Sequence, residues 1–500
     1  MEHLYDKLLK YTWNDIYPYH MPGHKRAGWG RLPEDVYRID ITEIDDFDNL
    51  HQPEGILLEL QQEASRLYGA EESFYLINGS TGGILAAVSC AVPVGGHLLM
   101  ARNCHKSAYH AAYLRNLTLS YLEPPLLNEY DVFDAIEPEQ IEMALEREPD
   151  IGAVLLVSPT YEGRISDIHA ISDIVHKRGI PLIVDEAHGA HLGLPGVSCP
   201  NSCQSGADLV IHSVHKTLPS LTQTALLHRN GTLVEPDLLK RFLHIYQSSS
   251  PSYLLMASID NALQYAELDG RKAFPQFEKR FENMMQKLSE CRHLKFLTGP
   301  PSRQDTGKLL VSVKHTDLTG RQLYEMLLKK YWLQTEMASE SFVLAMFTVN
   351  DGEEAYVRMT EALLEIDNDL GEKNIDMVQT APTEPEAASH SRETQKSMGR
   401  QRVPKLIGQE RTRDALPLSV AWDAPAEEIA LENSVGRYVG EFVNLYPPGI
   451  PLLVPGERMT GELCRKIVND VEQKLTVQGI SIQEGTDILE KRIRIKVLRE

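Results

Sequence analysis

The sequence predicts an α/β fold with a mainly parallel central sheet, followed by a smaller C-terminal α+β domain. Three observations carry this reading. Between residues 71 and 225, short apolar, β-branched runs alternate with helical stretches, as strands joined by crossover helices do. Several of these runs pass directly into polar or glycine-rich segments, the arrangement found where parallel strands end and ligands bind. Beyond a stretch rich in Pro, Glu, Ser and Gln, the chain regains core character through Ile429, Val435, Val439 and Phe442.

An N-terminal segment, 1–70, leads into a large domain over 71–260, with strands expected at 74–77, 98–100, 154–157, 182–184 and 209–211. Between the third and fourth, residues 167–178 place Ile168, Ile171, Ile174 and Val175 on one helical face, with Gly179 just past the end; this is one strand-helix-strand unit. Residues 261–375 supply the remainder of the core and small-domain elements. A linker or long excursion is expected over 376–412, where large apolar side chains are few. The C-terminal domain, 413–500, contains the proline-fixed turn Tyr446-Pro-Pro-Gly-Ile-Pro451.

Composition limits the functions available. Fifty Lys and Arg against 71 Asp and Glu leave a net charge of −21, a field that repels nucleic-acid phosphate and anionic membrane. The most apolar stretch, 84–94, is far short of the roughly 18 residues of a membrane helix, and the opening residues lack a signal-peptide core. A cytoplasmic, unprocessed protein is expected, with neither nucleic acid nor membrane as partner. The six cysteines do not suggest a disulfide framework, and Cys199 and Cys203 lack the second ligand pair of a zinc site.

The expected strand ends carry the chemistry. After 74–77 comes Asn78-Gly-Ser80-Thr81-Gly-Gly83 and then a helical pattern; small residues, hydroxyls and a helix N-terminus suit a phosphate. After 182–184 comes Asp185-Glu-Ala-His188-Gly-Ala-His191, and after 209–211 comes His212-Ser213-Val-His215-Lys216. Lys216 follows Asp185 by 31 residues, about one crossover unit, so a carboxylate and a lysine arrive at neighbouring strand ends. Pyridoxal 5'-phosphate (PLP) asks for those groups: a lysine for the Schiff base, an aspartate to keep the pyridine nitrogen protonated, and a phosphate cradle. The letters DEAH also occur in a helicase box, but no P-loop accompanies them: Thr306-Gly307-Lys308 lacks the glycine five residues earlier. His188, His191, His212 and His215 do not follow a known metal-ligand spacing, and no metal is expected.

The segments His20-Met-Pro-Gly-His-Lys-Arg26, Asn78-Gly-Ser-Thr-Gly-Gly83, Ser213-Val-His-Lys216 and 446–457 (YPPGIPLLVPGE) together resemble the Orn/Lys/Arg decarboxylase family. The likeness is to its short bacterial form, without an N-terminal wing domain. It implies an aminotransferase-like PLP enzyme of fold type I and a basic amino acid as substrate. Carried over by position, Lys216 resembles the Schiff-base lysine, Asp185 the partner of the pyridine nitrogen, and His105 the residue stacked on the ring. Ser80, Thr81 and Ser213 resemble phosphate ligands. His188 resembles a neighbour of the ring, and His215 a cofactor contact and proton donor. Glu457 and Asp46 are the candidates for the distal cation of the substrate.

The sequence departs from the family pattern at Glu162, where an aromatic is more usual, and at Ala27, where a glycine commonly follows the MPGHKR segment. The resemblance implies decarboxylation, arginine first, then lysine or ornithine, to the matching amine and carbon dioxide. It also implies a homodimer or larger homo-oligomer with active sites at the interface. Read from the motifs alone, the same lysine, aspartate and phosphate cup also serve aminotransferases and lyases, and a catalytically inactive regulatory relative is a third reading.

Overall fold

A computed structural model describes residues 2–13, 17–26, 33–379, 415–447, 449–484 and 491–499. Ala27 and the expected linker, apart from 376–379, lie outside the described residues.

Seven strands form the central sheet: β1 (Glu72–Leu76), β2 (His97–Ala101), β3 (Thr118–Leu122), β4 (Ala153–Val157), β5 (Leu182–Asp185), β6 (Leu209–His212) and β7 (Ala225–Arg229), in the order β1-β7-β6-β5-β4-β2-β3. The pairs β3/β2, β2/β4, β4/β5 and β5/β6 are parallel. Strand β7 is antiparallel to both β6 and β1, so β1 runs in the same sense as β6. The carboxyl ends of β1, β2, β4, β5 and β6 therefore open on one edge. All four residues of β5 and of β6 are buried, as expected of parallel strands covered on both faces.

The five strands expected from the sequence are present within one or two residues at their ends. The helix Ile168–His176 is also there, its first turn capped by the Asp167 side chain accepting from Ala170 N–H, with Gly179 beyond it at φ +68°. Two strands escaped the apolar-run pattern. Strand β3 is a half-exposed edge with the sequence TLSYL. Strand β7 is fully buried but ends in His228 and Arg229, whose polar atoms are satisfied internally by Ser73, His212 and Glu72.

A second sheet follows, with β8 (Lys295–Phe296), β9 (Lys308–Ser312), β10 (Met337–Ala338) and β11 (Phe342–Met346) in the order β8-β9-β11-β10. The chain from 415 onward forms the α+β unit. It holds two three-stranded sheets, the helices Leu418–Asp423 and Gly461–Glu472, and a core that includes Val439, Val443, Leu463, Ile467 and Val497.

One buried ion pair ties this unit to the central sheet. Arg102, just past β2, donates from Nη2 to Glu457 Oε2 at 2.9 Å and from Nε to Oε1 at 3.2 Å, with both side chains 2% exposed. The same guanidinium reaches the Pro451 carbonyl at 2.8 Å. That clip brings the chain at Gly449 onto the segment after β2, where Lys106 N–H donates to the Gly449 carbonyl at 3.3 Å. Gly449 sits at φ +80°, and a Cβ there would lie 3.3 Å from His105 Nε2, so a glycine is what lets the turn approach.

Candidate active site

Strands β5 and β6 lie side by side with Asp185 opposite Ile211. Past β6, Ser213 precedes the short helix Val214–Thr217, which carries Lys216. Lys216 Nζ lies 3.0 Å from His188 Nε2. Asp185, the last residue of β5, is buried and accepts the Ala187 N–H at 3.2 Å. Burial raises the Asp185 carboxyl and the Lys216 charge opposes the rise. Burial lowers the Lys216 ammonium, opposed by Asp185 and Glu336.

His105 caps the helix Lys106–Leu114, its Nδ1 accepting the Ser107 N–H at 3.2 Å. Burial, then the charges of Lys216 and Lys106, push it down to about 4, so the ring is neutral at pH 7. His215 donates from Nδ1 to the Thr224 carbonyl at 2.9 Å, which leaves Nε2 as the lone-pair nitrogen of the neutral ring. Burial lowers His215 as well.

Ser80 and Thr81 stand in the first turn of the 13-residue helix Gly79–Ala91, whose leading N–H groups have no intrahelical acceptor. Gly83 seats this helix against the sheet, since a Cβ there would come within 2.6 Å of Leu76 Cδ1. The Ser213 hydroxyl is buried without a hydrogen-bond partner among the described residues. An orphaned buried hydroxyl, a helix N-terminus, a buried carboxylate and a lysine at one sheet edge form a donor set that fits PLP.

Glu457, a candidate for the distal cation of the substrate, is paired with Arg102. Both oxygens of Glu457 are held by Arg102, and Oε2 also accepts the Val454 N–H at 2.9 Å. Its carboxylate secures the C-terminal unit; the resemblance located the turn, and the guanidinium that claims the charge lies 355 residues away in sequence. Asp46 is exposed on a loop at φ +73°. The acidic residue used in that loop is Asp48, which accepts the N–H groups of Asn49, Glu54, Gly55 and Leu57.

Three side chains that the sequence did not single out also meet here. Lys308, the first residue of β9, is 2% exposed and places Nζ 2.8 Å from His188 Nδ1; the sequence had shown it only as part of an incomplete P-loop. The Tyr161 ring meets the His188 ring edge-on at 4.8 Å, and the Tyr161 hydroxyl donates to Glu336. Glu336 is exposed, and its charge acts on both Lys216 and Lys308. Glu162 is half-buried, its carboxyl raised by burial. The remaining histidines of the run go elsewhere: His191 Nε2 pairs with Asp305 at 3.1 Å, and His212 Nε2 with Glu186 at 2.7 Å.

The parallel sheet with a lysine and an aspartate at adjoining strand ends is the architecture of an aminotransferase-like PLP enzyme of fold type I. Serine palmitoyltransferase of Sphingomonas wittichii superposes on 62% of this chain and 76% of its own, with a TM-score of 0.51 at 16% identity. Lysine decarboxylase A of Pseudomonas aeruginosa superposes on the whole chain and 80% of its own, with a TM-score of 0.79 at 19% identity. Residues 2–344 match the major domain of the Orn/Lys/Arg decarboxylases, and 416–469 match the C-terminal domain of that family. The chain belongs to the Orn/Lys/Arg decarboxylase family and is a decarboxylase. Arginine decarboxylase of Bacillus subtilis is 31% identical to it over 95% of each chain.

Proposed function

We propose that the protein decarboxylates a basic amino acid with PLP held on Lys216, arginine being the first substrate and lysine or ornithine the next, and releases carbon dioxide and the matching amine. The observation that carries the reading is the meeting of Lys216 and Asp185 at adjoining strand ends beside the unpartnered Ser213 hydroxyl. Arginine stands first because the arginine decarboxylase of B. subtilis is similar along 95% of both chains. When bound, PLP supplies the electron sink for the pair left on Cα as the carboxylate departs.

The chain's own residues do the rest. Asp185 holds a proton at the ring nitrogen, His105 offers a flat neutral ring for stacking, and His188 lies beside the ring. Ser80, Thr81, Ser213 and the first turn at Gly79 hold the phosphate, with His215 as a further cofactor contact. Lys216 Nζ is the better source of the proton for Cα, because the neutral His215 ring keeps its one N–H on the Thr224 carbonyl. Glu336, with Glu162 nearby, replaces Glu457 and Asp46 as the partner for the distal cation of the substrate.

A homodimer belongs to the same proposal, as the resemblance to the family implies. So does a cytoplasmic location. Its six cysteines are free, as in a reducing compartment, and no helix among the described residues is long and apolar enough to cross a membrane.

Incubating the PLP-loaded protein with arginine, lysine and ornithine in parallel, and measuring carbon dioxide and amine, tests the function. Release of agmatine, cadaverine or putrescine, lost in Lys216→Ala, is the expected outcome. Glutamate formation that depends on added 2-oxoglutarate, with no carbon dioxide, would overturn it.

A further inference from the structure

Two amines flank one imidazole in this site. Lys216 Nζ is 3.0 Å from His188 Nε2, and Lys308 Nζ is 2.8 Å from His188 Nδ1. The three side chains come from the turn after β5, the short helix after β6 and the start of β9, so the tertiary fold alone assembles them. Lys308 is also seated. Gly163, at φ +95°, passes so close that a Cβ there would stand 2.7 Å from Lys308 Cγ.

Hydrogen-bond counting limits the protons this trio holds. A neutral imidazole has one N–H and one lone pair, and an ammonium donates without accepting. With both lysines charged, both ring nitrogens would have to accept, which requires an imidazolate. At least one lysine is therefore a neutral amine whose lone pair takes the imidazole N–H. An imidazolium is disfavoured as well, since burial and the two lysines hold His188 well below the usual histidine range.

The surrounding charges decide which lysine keeps the proton. Burial, with the Lys216 charge adding to it, holds the Lys308 ammonium down to about 8 against Asp305, Glu336 and Glu162, and its Nζ lies 5.9 Å from the centroid of the Tyr161 ring. Lys216 faces Asp185 and Glu336, with His105, His188 and His215 around it. Three carboxylates face Lys308 and two face Lys216, one of which, Asp185, the proposed function commits to the cofactor nitrogen, so the positive charge is placed on Lys308.

We propose that His188 and Lys308 form a proton relay that keeps Lys216 a neutral amine whenever it is not joined to a carbonyl, with Lys308 the resting ammonium; the relay rests on Lys216 being the cofactor lysine. Lys216 Nζ gives a proton to His188 Nε2 as the His188 Nδ1–H proton passes to Lys308 Nζ. One proton enters the ring and one leaves, the imidazole changes tautomer, and the positive charge moves from Lys216 to Lys308. The reverse transfer recharges Lys216 when an acid is needed at Cα. His188 touches the reacting amine, while Lys308 acts through it as a positioning residue.

The test reads the neutrality of Lys216 without the cofactor. The full chain, stripped of PLP, is reductively methylated with formaldehyde and cyanoborohydride across a range of pH, and methylation of Lys216 is followed by peptide mass against the exposed Lys177. Lys216 is expected to react faster than Lys177 at neutral pH. His188→Phe and Lys308→Met are each expected to slow it at least about tenfold there, a rise of about one unit in its apparent pKa, with the double variant no slower than either. Lys308→Arg, a permanent donor to Nδ1, is expected to keep Lys216 reactive. Unchanged reactivity in His188→Phe while Lys308→Met slows it would overturn the relay, leaving Lys308 to act through its field alone. Because no cofactor takes part, failure of PLP to bind would count against the proposed function and not against the relay.

Discussion

Around Lys216 burial works to remove the positive charge, and Asp185 and Glu336 oppose its loss. Two histidines that burial keeps neutral, His105 and His188, and a second lysine surround an amine that must be uncharged to attack a carbonyl. For His105 the shift has a consequence for stability. Its folded value of about 4 lies below the ordinary 6.5, so the unfolded chain takes the proton first. The stability it contributes is complete above about pH 6.5 and is lost as pH falls toward 4. Between pH 7 and 5 the urea midpoint of His105→Gln is therefore expected to fall less than that of the wild type. Glu336 belongs to the same scale. If it pairs with the distal cation of the substrate, Glu336→Gln raises KM by roughly ten- to a hundredfold, the loss of about 1.5–3 kcal/mol for a charged hydrogen bond, with kcat less affected; an unchanged KM would remove it from the substrate site.

At the scale of elements, the site depends on how strand ends are brought together and on what holds the C-terminal unit against them. The five strand ends on one edge and the lysine and aspartate that occupy them were legible in the sequence, because apolar runs followed by polar residues mark parallel strands. Lys308 was not, since its role comes from a second sheet that packs its first residue beneath His188. Strand β7 was hidden by His228 and Arg229, polar letters satisfied only in the folded core. The partner of Glu457 was hidden for a similar reason: its carboxylate is held by Arg102. Arg102→Met leaves that carboxylate buried and unpaired, and a loss of about 3–5 kcal/mol in denaturant unfolding is expected. Replacing both partners by apolar residues is expected to cost less than the single change; an equal or larger cost would show that the pair contributes more than the avoidance of a stranded charge.

For the whole molecule, the central sheet, the second sheet and the C-terminal unit meet at one edge, where Lys216, Lys308 and the turn clipped by Arg102 converge. Light scattering is expected to give twice the 56.3 kDa of one chain, and an active monomer would contradict the proposed dimer. The central assignment is that Lys216, and not the second lysine on the same imidazole, carries the cofactor. Reducing the PLP-loaded protein with borohydride and mapping the adduct by peptide mass decides between them. The adduct is expected on Lys216; an adduct on Lys308 would contradict the assignment and reverse the roles of the two amines.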